Sequence, residues 1–289
     1  MERRMGTMWV AASLVRAVAV VSVTAAPLAG QEPAAPAPTT LSTIGAAAPA
    51  ARLGMGYHAF YNARYEEAAS IGSALLVDAP DSLDGLELRT SAHLFRLKEI
   101  IGDARDKEKA VKECAVCADL LSTLTADTRH AQTLARARLK ADPKDENTRF
   151  LLGKIDLNYL WLQLGPLGKR AGWDEYWEAR RSLDDVLAKN SGHTRAKVAR
   201  AWMDYIVDTR VPWGTKWILG GGSRKKALVA VREAAIAATE PLPRAEAGFA
   251  LWEMELREKN HGQALVIASG LLVSFPENKD LVKFVAANQ

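Results

Sequence analysis

Apolar residues return every three or four positions along most of the chain beyond its first fifty or so residues. Alanine and leucine carry the pattern, and there is little of the strict apolar–polar alternation that marks strands. Proline and glycine collect between the periodic stretches. The spacing predicts helices over 50–62, 65–77, 84–101, 107–124, 128–141, 146–164, 174–189, 194–208, 224–238, 244–258 and 262–274, with a short closing helix in "NKDLVKFVAAN".

The helices are not independent. "GYHAFYNARYEEAASIGSALLVDAPDS" (56–82) aligns with "WEMELREKNHGQALVIASGLLVSFPEN" (252–278), setting Ala68 on Ala264 and Pro80 on Pro276. Ala131 and Pro143 keep the same interval of 12, as do Ala179 and Ser191, and Ala227 opens "ALVAVREAAIAATEP" in the same role. A small residue at such a position lets two helices approach closely, and the proline ends the second helix because it lacks an N–H.

These residues resemble the tetratricopeptide (TPR) repeat, a helix–turn–helix unit of about 34 residues. Gly56, Tyr65, Ala68 and Pro80 stand where that family keeps Gly, Tyr, Ala and Pro. The resemblance implies an all-α, TPR-like α-solenoid of about five stacked helical hairpins. It is good at both ends of the chain; the middle units keep the alanine and lose other positions. Residues 107–141 hold one helix too many for simple alternation.

Two connections break the repeat: "GPLGKRAGW" (165–173) and "VPWGTKWILGGGSRKKAL" (211–228) replace short turns within hairpins. Six of the eight tryptophans fall between Trp161 and Trp217, so these two Gly/Trp-rich insert loops, expected to project side by side, mark one edge as chemically distinct. The run Gly220–Gly222 is not a phosphate loop: no glycine stands at the upstream spacing, Gly222 is followed by Ser223-Arg224 instead of a lysine, and no strand precedes it. Two readings stay open. The glycines end a turn while Ser223 caps the next helix and the tryptophans cover the edge; or the free amides and basic side chains of that helix start hold an anionic or aromatic ligand. Under the second reading the candidates are Lys169, Arg170, Trp173, Trp213, Lys216, Trp217, Arg224, Lys225 and Lys226.

The N-terminus changes the address. Arg3 and Arg4 precede the uncharged run "AVAVVSVTAA" (17–26) and small residues, the pattern of a signal peptide over 1–30 with cleavage after Gly30 or Ala26. That apolar run is too short to span a bilayer, so no stable membrane insertion is expected after cleavage. Residues 31–51 are Ala/Pro-rich and read as a disordered spacer, leaving 52–289 as the repeat domain. Periplasmic or secreted localisation follows. Of 38 basic and 34 acidic residues, the leader holds three and one, so the mature net charge is +2. That balance gives no footprint for nucleic acid.

Cys114 and Cys117 form a C-x-x-C that the periodicity places inside a helix, as a buried thiol pair or local disulfide rather than a redox centre. The histidines make no close metal pair, and no nucleophile motif stands out, so no cofactor, no metal and no turnover are expected. The sequence points to an exported, non-enzymatic module binding a protein or peptide partner on its concave face or insert edge. In TPR proteins the first helix of each hairpin lines the groove, which implies Tyr57, Tyr61, Trp161 and Trp202 as further partner-binding candidates. The alternative is a periplasmic small-molecule-binding component resembling the T-component of tripartite transporters, which a closed apolar central cavity would favour.

Overall fold

Helix starts in this chain follow local chemistry. Ser82, Asp106, Asp145 and Ser223 each accept a hydrogen bond from the backbone N–H three residues on, and the His193 ring nitrogen accepts one from Ala196. The structure, a computed structural model, describes residues 48–169, 171–211 and 213–288. The expected leader over 1–30, the spacer up to residue 47, Arg170 and Pro212 lie outside the described residues.

Twelve α-helices and no strand occur among the described residues. They are α1 (Pro49–Tyr61), α2 (Tyr65–Asp78), α3 (Leu83–Ile101), α4 (Lys107–Glu113), α5 (Cys117–Ala141), α6 (Glu146–Leu164), α7 (Trp173–Lys189), α8 (Thr194–Arg210), α9 (Arg224–Ala237), α10 (Pro241–Arg257), α11 (His261–Ser274) and α12 (Lys279–Asn288). A 3-10 helix, Trp213–Leu219, lies between α8 and α9. No helix of the described residues is long and apolar enough to cross a membrane.

Five hairpins stack in order: α1/α2, α3/α5, α6/α7, α8/α9 and α10/α11, with α12 closing the end. The repeat alanines explain the stacking. Ala68, Ala131, Ala179 and Ala264 are 0% exposed and Ala227 is 3% exposed, each on the second helix of its hairpin. Gly56 serves the same end from the first helix, since a Cβ there would stand 2.4 Å from Leu88 Cδ2. The tight turns of the first and last hairpins match too: Ala63 and Lys259 adopt φ of 59° and 62°, a left-handed conformation rare for non-glycine residues.

The main departure from the periodicity lies between 107 and 141. The helix expected over 107–124 breaks at Cys114, whose backbone is extended, and the chain then runs unbroken from Cys117 to Ala141. Asp127, just ahead of the helix expected from 128, lies inside α5 and accepts two hydrogen bonds from Arg89, both 2.6 Å. So α5 is the true partner of α3, and α4 is a short extra helix inserted between them. That resolves the surplus helix. At the start of the domain, α1 begins at Pro49, inside the stretch expected to be spacer, and its Arg52 is buried against Asp78.

The stack also curls until its ends meet. The Asn62 side-chain oxygen accepts the Glu277 amide at 3.0 Å, and the Asn278 amide group donates to the Tyr61 carbonyl at 2.8 Å. Tyr61 stacks on Phe249 with centroids 5.0 Å apart. The inner face is therefore a closed ring rather than an open groove.

Candidate functional site

Side chains from all five inner helices converge on the axis of that ring. Tyr57 of α1 donates to the Glu87 carboxylate of α3. Glu87 also accepts from Ser91 at 3.0 Å, and Ser91 accepts from Asn158 of α6 at 2.9 Å. Arg195 of α8 donates to Glu246 of α10 at 2.7 Å while its guanidinium lies 4.8 Å from the Phe150 ring centre and 5.4 Å from that of Tyr57. Lys154 of α6 pairs with the other Glu246 oxygen. Two carboxylates thus face two cations, and the cluster is charge-balanced.

The electrostatics follow from the geometry. Burial pushes the Glu246 carboxyl up, but Lys154 and Arg195 outweigh it and hold it down at about 2. Burial and then the Glu87 charge push the Tyr57 phenol well above its ordinary value. Burial works against the Arg195 charge, yet Glu246, Tyr57 and Glu87 raise its pKa well above the ordinary value. A cluster this satisfied is a buried polar keystone that fixes how five helices meet. It also fills the space a central ligand would need. Tyr57 and Tyr61, expected to line a groove, are instead parts of the keystone and of the seam between the ends.

A second buried group lies between α5, α6 and α7. Asp156 is fully buried; one oxygen accepts from Gln132 at 2.8 Å and the other has no donor. Its neighbour is Glu178, itself paired with Arg136. Burial and then the Glu178 charge push Asp156 up to about 8, so that a proton lies between the two carboxyls.

The insert edge is built differently. Gly220 and Gly221 have φ of 75° and 71°, and a Cβ on Gly222 would stand 2.4 Å from the Asp204 carbonyl oxygen. The three glycines are what this turn needs to pass close over α8. The Leu219 carbonyl accepts from Tyr176 at 2.7 Å and from Arg180 at 3.3 Å, which anchors the loop to α7. At the start of α9, Ser223 caps as expected, but the Arg224 amide donates to Asp208 at 2.9 Å, and Lys216 pairs with the same carboxylate at 2.5 Å. The chain supplies its own anion to this helix start, and Lys216 and the Arg224 amide hold the Asp208 carboxyl below its usual range.

The remaining candidates separate. Trp173, 43% exposed, and Trp217, 76% exposed, stand on the insert edge with Ile218, 54% exposed. Lys169, Lys225 and Lys226 are exposed, while Arg224 pairs with Glu258 at 3.6 Å. Trp213 belongs to the 3-10 helix, and its side chain is outside the described residues, as is Arg170. Trp161 is partly buried between two core clusters. Trp202, midway along α8, stacks on Tyr205 with Arg257 5.6 Å above it. The first insert also reaches back one unit, where Gly168 lies against Lys107 of α4.

Sequence reasoning missed Glu87, Lys154, Arg195, Glu246, Asp156 and Asp208. Most act through partners remote in sequence, Tyr57 and Arg195 being 138 residues apart, while Asp208 meets Lys216 and the Arg224 amide across the insert; no local motif marks any of them. An open cleft of about 500 Å³ lies outside the ring between α2 and α5, with Leu76, Val77 and Leu86 on its walls. Among the described residues, no cluster of three or more His, Cys, Asp or Glu is arranged to hold a metal ion.

The chain is an all-α, solenoid-like helical-repeat protein. No family model matches it, and no curated protein matches it. Among solved structures it is similar to a thermophilic TPR protein of Thermus thermophilus, at 16% identity and a TM-score of 0.46, covering 83% of this chain and 98% of that one. The architecture rests on the helices described above, not on that likeness.

Proposed function

We propose that this protein is an exported, non-catalytic scaffold that binds a protein or peptide partner along its insert edge. The carrying observation is two exposed indoles, Trp173 at the start of α7 and Trp217 next to the exposed Ile218 on the second insert, which Tyr176 and Arg180 of α7 hold in place through the Leu219 carbonyl. Aromatic anchors on a rigid base bind with little ordering cost, and tryptophan is among the residues most enriched at binding hot spots. Lys225 and Lys226 flank them, which suits a partner segment that is apolar with acidic residues nearby. The concave face is the weaker candidate, because its axis is occupied by the protein's own ion pairs. The same filling removes the closed apolar cavity that a small-molecule carrier would use. Export is supported by the leader-like pattern of residues 1–30 and by the Cys114–Cys117 disulfide, which suits an oxidising compartment.

The test is capture of partners on the immobilised mature protein, compared with a Trp173→Ala/Trp217→Ala double variant of unchanged melting temperature. A specific partner retained by the wild type and weakened at least about thirtyfold by the variant supports the reading, in line with hot-spot truncations of about 2 kcal/mol or more. A partner held equally by both moves binding away from this edge.

A further inference from the structure

The break between α4 and α5 gives the cysteines a setting their sequence did not suggest. Cys114 follows the last residue of α4 and is partly exposed; Cys117 is the first residue of α5 and is 0% exposed, packed in a cluster with Leu94, Leu97, Leu120 and Leu124. The two are joined in a disulfide. Ala115 and Val116 between them are exposed; α4 has no fully buried residue, and its Ala110 and Val111 pack, half-buried, against the same cluster. The pair therefore has one reachable sulfur and one protected sulfur. The protected one sits in the first turn of a 25-residue helix, whose leading amides have no partner within the helix and favour a negative charge.

We propose that Cys114–Cys117 is a thiol–disulfide exchange site that takes two electrons from a cysteine pair on a partner protein. A partner thiolate attacks Sγ of Cys114, the more exposed residue of the pair. The Sγ–Sγ bond breaks, and Cys117 leaves with the bonding electrons as a thiolate, stabilised at the start of α5, and takes a proton from water. The partner's second thiolate then attacks the partner sulfur of the mixed disulfide and releases Cys114 as a thiolate, which is protonated in turn. The partner loses two electrons and two protons and gains a disulfide; Cys114 and Cys117 gain both. A leaving thiolate favoured in this way makes a disulfide easier to open. The inference does not depend on partner binding at the tryptophans.

The full chain is incubated with a reduced dithiol peptide, and thiols are trapped with acid and counted. Two peptide thiols should disappear, and two protein thiols appear, per molecule, with the far-UV circular dichroism unchanged. No transfer under native conditions overturns the proposal. The direction of attack is read separately with oxidised glutathione. Cys117→Ser, which keeps the reachable sulfur, should form a mixed disulfide at least about tenfold faster than Cys114→Ser, which keeps the protected one. Equal rates in two helical variants overturn the assigned roles. If either variant fails to fold, the thiol count on the unmodified chain decides alone.

Discussion

Replacing Asp156 with asparagine should stabilise the protein more the higher the pH. In the folded chain the Asp156 carboxyl keeps its proton up to about pH 8, whereas in the unfolded chain it releases it near its ordinary value of 3.8. Between those limits the folded state binds the extra proton, so stability falls as pH rises, by at most about 1.4 kcal/mol per pH unit. From pH 5 to pH 7 that amounts to on the order of 2–3 kcal/mol. Glu178 shifts the other way, held below its usual range, and its contribution is complete above about pH 4.5. The lowered pKa values of His93 and His193 oppose the trend near pH 6, but they are common to both proteins and cancel in the difference. Asparagine keeps an oxygen for Gln132 and offers an N–H to Glu178 where the acid offers its proton, so the site stays satisfied without titrating. Urea unfolding of both proteins at pH 5, 6, 7 and 8, with the slope m checked for constancy, measures the difference directly. For a domain of this size the shift between pH 5 and 7 corresponds to roughly 4–12 °C in Tm. A variant whose advantage is the same at pH 5 and pH 8 would show that no proton is held between these carboxyls.

Three further outcomes follow from the same geometry. Arg195→Ala leaves Glu87 without a cation and Glu246 with Lys154 alone, and should cost about 3–5 kcal/mol by denaturant titration, as for breaking other buried ion pairs. Glu246→Gln should remove a stabilising contribution that is present above about pH 4.5 and lost towards pH 2, so the variant's stability should fall less steeply than the wild type's on acidification. Gly222→Ala drives a Cβ into the Asp204 carbonyl and should lower stability by about 1–3 kcal/mol, with faster amide exchange over 213–223, while Gly262→Ala, which sits in α11 and meets nothing within 4 Å, should lower neither protection nor stability and should raise the latter by up to about 1 kcal/mol.

How much of this was legible in the sequence depended on whether the cause was local. Ala68, Ala131, Ala179, Ala227 and Ala264 announce themselves because close helix approach demands a small residue at one recurring register, and all five are buried. Ser223 was readable as a cap for the same reason. Cys114 was not readable as a break: "KEKAVKECAVCADLL" is helical by periodicity, and it is at the Cys114–Cys117 cross-link that α4 ends and α5 begins. Glu87 sits between Leu86 and Leu88 and looks like any helical glutamate; its role exists only once Tyr57, Ser91 and Arg195 surround it. The glycine triplet left both a plain turn and a ligand site open, because glycine signals a backbone requirement without saying what approaches. Here the neighbour is Asp204 of the same chain.

The seam between Asn62 and Glu277 and between Tyr61 and Asn278 gives this array a fixed size. An open stack of repeats can lengthen or shorten by gene duplication, and it frays one unit at a time from its ends. Once first and last units grip each other, adding a sixth would pry that grip apart, and losing the first would strip the last of its cover. Such a chain should melt as one cooperative body rather than unit by unit.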